Sequence, residues 1–147
     1  MEKKISIAID GPAGAGKSTI ARRLAQEMGY RYVDTGAIYR TVAYFMDLWG
    51  VSPKDTDGVN RYIDELTVNI EYDDEGIQHM IMNGMDVTAD IRTPEISQKA
   101  SLIAAQPVVR EALLDMQREA ARQYDVVMDG RDIGSVVLPK ATVKIFL

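Results

Sequence analysis

Ile5-Ser6-Ile7-Ala8-Ile9-Asp10-Gly11-Pro12-Ala13-Gly14-Ala15-Gly16-Lys17-Ser18 is the stretch from which the fold can be read. Its first five residues are β-branched or apolar, the composition of a buried strand. From Gly11 to Ser18 it satisfies G-x-x-x-x-G-K-[ST] in full. Glycines let backbone N–H groups curl around an anion without Cβ clashes. A helix that follows adds the positive end of its dipole. Lys17 is suited to the outer phosphates and the Ser18 hydroxyl to Mg²⁺. Strand, glycine turn and helix together predict a cradle for the polyphosphate of a nucleoside triphosphate.

Downstream, Ile20, Ala21, Leu24, Ala25 and Met28 recur at helical spacing, with Arg22, Arg23, Gln26 and Glu27 on the other face; Gly29 closes the helix. Tyr30 to Val33 reads as a second strand, and Ala37 to Trp49 as a helix stopped at Gly50. Pro53 to Gly58 is predicted as a loop, with a short helix from Asn60 to Leu66. Thr67 to Tyr72 alternates, turns at Asp73–Gly76 and resumes as Ile77 to Met82, where Asn83-Gly84 signals a hairpin. Thr93-Pro94-Glu95 has the N-cap, N1 proline and first-turn acid of a helix start. Pro107 breaks or restarts that helix, and Val109, Ala112, Leu113, Met116 and Ala120 form the next apolar stripe. Asp125 to Asp129 and Ala141 to Leu147 are further strands. The order predicts an α/β fold, a three-layer parallel sheet carrying a small antiparallel β insert. Ligands of such sheets lie beyond the carboxyl ends of the strands, so chemistry is expected just after Ile9, Val33 and Met128.

Two further segments fall there. In Asp34-Thr35-Gly36-Ala37-Ile38-Tyr39-Arg40, Thr35 is a candidate helix cap, Asp34 a candidate cap or Mg²⁺ neighbour, and Arg40 lies one helical turn in. In Asp129-Gly130-Arg131-Asp132, an aspartate ending an apolar strand has the form of a carboxylate that orients Mg²⁺. Ser101 and Arg110 flank the break at Pro107; by position alone each is a helix-surface residue. The lone histidine, His79, reads as an ordinary strand or surface residue and cannot build a multi-histidine metal site. A formal net charge of -5 argues against a nucleic-acid surface, which needs many cations, yet is compatible with a mononucleotide. The chain has no cysteine, no run of 18 apolar residues and no secretory signal at its start, which points to the cytoplasm.

The segments IAIDGPAGAGKST (7–19), VDTGAIYR (33–40), ADIRTPEIS (89–97), VVREALLDMQR (108–118), VMDGRDIG (127–134) and VVLPKATVKIFL (136–147) together resemble the bacterial cytidylate kinases. The resemblance implies a P-loop nucleotide kinase core over 1–147, with an NMP-binding β-hairpin insert from about 60 to 92. It implies that Gly11, Pro12, Ala13, Gly14, Ala15, Gly16, Lys17, Ser18 and Thr19 hold ATP, with Ser18 and Asp129 at Mg²⁺. Thr35, Arg40 and Arg131 would hold the CMP phosphate, and Ser101, Arg110 and Asp132 would read the cytosine. Lys17, Arg40 and Arg131 would be catalytic, by charge neutralisation: the acceptor oxygen is already anionic, so alignment is the task rather than proton removal. CMP and dCMP are the implied acceptors, with UMP a weak one.

Members of that family continue past Leu147 with an arginine-bearing lid and a last strand with its helices. The resemblance therefore implies a truncated chain that binds nucleotides and turns over slowly or not at all. The parent is expected to be a monomer, and the shortened chain to associate through an exposed sheet edge. Two other readings remain open from the residues alone: a kinase for a sugar-like hydroxyl with Asp34 as base, or a nucleotide-binding fragment without catalysis.

Overall fold

The computed structural model describes residues 3–12 and 14–147; the expected phosphate-loop residue Ala13 lies outside them. Along the chain run β1 (Ser6–Asp10), α1 (Lys17–Met28), β2 (Arg31–Asp34), α2 (Thr35–Leu48), α3 (Thr56–Tyr62), β3 (Val68–Tyr72) and β4 (Gln78–Met82). They are followed by β5 (Met85–Asp86), α4 (Pro94–Ile103), α5 (Pro107–Gln123), β6 (Val126–Gly130) and β7 (Val143–Phe146). The chain divides into two compact units, Met1–Thr35 with Met116–Leu147, and Gly36–Asp115. Among the described residues no helix is long and apolar enough to cross a membrane.

The first unit is built on a four-stranded sheet of order β2-β6-β1-β7, and every pairing is parallel. This confirms the α/β class. Ile7, Ile9, Ala21, Ala25 and Val127 form its buried core, with Leu24, Tyr30, Tyr32 and Ile145 packed around it. Small side chains at 21 and 25 let α1 approach the sheet closely. The expected apolar stripe of α1 is only partly buried, since Ile20 and Met28 are each 46% exposed. Gly29 ends the helix in the left-handed conformation, its N–H bonded to the carbonyls of Ala25 and Gln26.

The second unit contains the expected antiparallel insert: β3 pairs with β4 and β4 with β5. Asn83 (φ 48°) and Gly84 (φ 83°) make the tight turn between the last two, and the Asn83 side chain accepts from Thr67 N–H at 2.6 Å. Thr93 caps α4 by accepting from the Ile96 N–H, and α5 begins at Pro107. Two boundaries differ from the sequence reading. Asp55 caps α3 by accepting from the Gly58 N–H, so the predicted loop is helical from Thr56 onward. Strand β2 passes into α2 at Thr35 with no loop between, because Thr35 is bolted to the sheet by a side-chain bond described below.

Candidate active site

Register brings three acidic strand ends together. Asp10 pairs with Gly130 across β1 and β6, and Asp34 pairs with Asp129 across β2 and β6. The phosphate loop leaves β1 at this edge. Its Gly11 N–H donates to the Gly130 carbonyl at 3.2 Å, and the Ala15 N–H donates to the Pro12 carbonyl. Gly14 (φ 84°) and Gly16 (φ 81°) occupy the left-handed region, which a side chain would strain. Gly16 is the N-cap of α1 and no side chain caps it. The first amides of α1 thus follow a turn of small residues, Gly14, Ala15 and Gly16, the form of a helix-terminal anion site.

Across the edge, Tyr32 donates its O–H to Asp129 Oδ2 at 3.0 Å. Thr35 donates its hydroxyl to the Asp129 carbonyl at 2.6 Å. Thr35 therefore locks the end of β6, where the sequence reading had it as a candidate helix cap. A Cβ on Gly130 would stand 2.8 Å from the Thr35 hydroxyl and 2.8 Å from the Ile133 side chain, so a larger residue would have to displace these side chains. Asp129 is 4% exposed. Burial, and then the negative charge of Asp34, push its carboxyl up to about 6; the Tyr32 bond and the charges of Lys17 and Arg22 oppose them. Tyr32 is driven above the ordinary tyrosine range, first by burial and then by Asp34 and Asp129.

This arrangement fits a magnesium ion that arrives with phosphates. The candidate donors are hard oxygens: the buried Asp129 carboxylate, whose charge burial and Asp34 disfavour, and the hydroxyl of Ser18 in the first turn of α1. Among the described residues no group of three or more His, Asp or Glu could hold a metal unaided. Mg²⁺ commonly uses one or two carboxylates, with substrate phosphates completing its shell.

The expected site residues divide between the units. Gly11, Pro12, Gly14, Ala15, Gly16, Lys17, Ser18, Thr19, Asp129, Arg131 and Asp132 belong to the first, together with Thr35. Lys17 is half-buried, and its charge acts on Asp129; Ser18, Thr19 and Arg131 are exposed. Arg40 on α2, Ser101 on α4 and Arg110 on α5 belong to the second unit. Arg40 is half-buried and the other two are exposed; Ser101 Oγ donates to the Ser97 carbonyl at 3.4 Å.

Sequence reasoning passed over Tyr32, Arg22 and Asp10. The Arg22 guanidinium lies 5.6 Å from the centre of the Tyr32 ring. Tyr32 and Asp129 are 97 residues apart, and only the β2–β6 register makes them neighbours.

The profile of the cytidylate kinases matches residues 7–147. The cytidylate kinase of Pelotomaculum thermopropionicum is 51% identical over 142 residues, which cover 97% of this chain and 63% of the relative. Those of an Exiguobacterium species and of Desulfitobacterium hafniense are 46% and 47% identical over 147 residues, covering all of this chain and 65% and 62% of the relatives. The chain thus spans a little under two thirds of the length of these curated relatives.

Proposed function

The chain belongs to the cytidylate kinase family, and on that premise we propose that the protein transfers the γ-phosphate of ATP to CMP or dCMP, giving CDP or dCDP. The observation that carries the reading is the helix terminus behind Gly16, reached through two left-handed glycines and backed by Lys17.

In this reading the loop amides and Lys17 take the ATP phosphates. Arg40 and Arg131 neutralise the acceptor phosphate, whose oxygen attacks without a general base. Guanidinium suits this role because its planar fork meets phosphate oxygens in pairs. Ser101, Arg110 and Asp132 supply donors and acceptors for cytosine. Thr35, whose hydroxyl donates to the Asp129 carbonyl of β6, is read with Arg40 and Arg131 at the acceptor phosphate. Mg²⁺, held by Ser18, Asp129 and the phosphates, would neutralise charge on the transferring group. The whole protein is read as a cytoplasmic monomer, with association possible for this chain.

Calorimetric titration of this chain with CMP, UMP, AMP and shikimate tests the acceptor, with CDP formation followed by chromatography. CMP should bind best. A chain that takes AMP or shikimate in preference to CMP would overturn the assignment.

A further inference from the structure

Immediately after Arg131 and Asp132 the backbone makes a single π turn, Ile133–Val137. Such turns leave amides at the start and carbonyls at the end without the partners a longer helix would provide. Here both ends are held by side chains from elsewhere in the same unit. Asp10 Oδ1 accepts from the Ile133 N–H at 2.7 Å, and Oδ2 accepts from the Gly134 N–H at 2.8 Å. At the other end, Arg118 on α5 donates from Nε to the Val137 carbonyl at 2.9 Å and from Nη2 to the Val136 carbonyl at 3.0 Å. Asp10 is also the last residue of β1, so the strand that carries the phosphate loop carries one end of this clamp. A carboxylate beside a polyphosphate cradle would repel its ligand; committing both oxygens to amides offsets that charge.

We propose that Asp10 and Arg118 are positioning residues, which fix Arg131 and Asp132 for the acceptor nucleotide by clamping the two ends of the turn that follows them. The inference rests on the cytidylate kinase reading, since it presumes that Arg131 and Asp132 meet CMP. The clamp acts on the acceptor side, so the two nucleotides should respond differently to its loss.

The test is calorimetric titration of this chain with CMP and, separately, with ATP. The variants are Asp10→Ala, Asp10→Asn, Arg118→Met and Arg118→Lys, with amide hydrogen exchange at Ile133 and Gly134 in the same samples. Asp10→Ala and Arg118→Met should weaken CMP binding by roughly 10- to 100-fold, the effect of losing bonds to a charged group. ATP affinity should change far less. The conservative variants, each able to keep one bond, should fall between. Exchange at Ile133 and Gly134 should quicken in Asp10→Ala. If that variant does not fold, Asp10→Asn carries the comparison. Variants that bind CMP as the parent does, or lose CMP and ATP in equal measure, would overturn the proposal alone. An unaltered chain that does not bind CMP would overturn the kinase reading and this inference with it.

Discussion

At Lys17 the proposed phosphate binding rests on one charge. Its side chain is half-buried in the first turn of α1 and acts electrostatically on Asp129. Lys17→Ala should weaken ATP binding on the order of 100-fold, as expected when a charged donor to phosphate is lost. The helical circular dichroism should stay unchanged. Undiminished ATP affinity in that variant would remove the cradle from the functional account. The position of this residue at the start of α1 was legible from the sequence because the motif fixes its spacing after the strand. Asp129 was legible as a strand-ending acid. Its raised carboxyl pKa was not, because burial and the neighbouring Asp34 both come from strand pairing.

The element scale is where local signals were most reliable. Thr93 caps α4 as its sequence indicates, and Thr93→Ala should cost about 1 kcal/mol in urea unfolding. A loss near zero would mean that packing, and not the cap, sets the start of α4. The three-stranded insert holds a feature that no motif signalled. His79 on β4 stands opposite Glu71 on β3. Its Nδ1 lies 2.8 Å from Asp86 Oδ2, and its Nε2 lies 2.9 Å from Asp73 Oδ2. Only the imidazolium donates to both carboxylates. Bonding to Asp86, then to Asp73, raises the His79 pKa above its ordinary value. Asp86 is lowered to about 2, chiefly by its bonds to Thr88, and Asp73 is lowered chiefly by the Ile77 N–H.

The raised imidazole pKa stabilises the fold fully below about pH 6.5, and that stability is lost as pH climbs through the folded-state value. The lowered carboxylates contribute above about pH 4, and their share is lost as pH falls towards about 2. His79→Gln should therefore flatten the decline in urea midpoint on the alkaline side of about pH 6.5. Parallel slopes for the two proteins would show that this clasp contributes nothing to stability.

For the whole molecule, β7 forms one edge of the parallel sheet. Phe146 there is 80% exposed and Val143 44%. Exposed apolar edges invite pairing with another chain. Phe146→Lys should reduce concentration-dependent light scattering while changing stability by no more than about 0.5 kcal/mol, as surface substitutions usually do. Equal scattering from both proteins would show that this edge does not drive association.

Repeating apolar patterns, caps and the glycine-rich motif are local, and from them the sequence alone determined the α/β class, the glycine turn between β1 and α1, the hairpin at Asn83-Gly84 and the helix starts at Thr93 and Pro107. Residues within one turn or one strand fix these features through backbone conformation and short-range bonds. Tertiary structure alone decided that Thr35 bonds the end of β6, that Tyr32 faces Asp129, and that Asp10 and Arg118 clamp the turn after Asp132. The pairs to β6 span 94 and 97 residues, and the Asp10 bond to Ile133 spans 123. No short-range preference encodes such partners; parallel strand register and the packing of α5 bring them together.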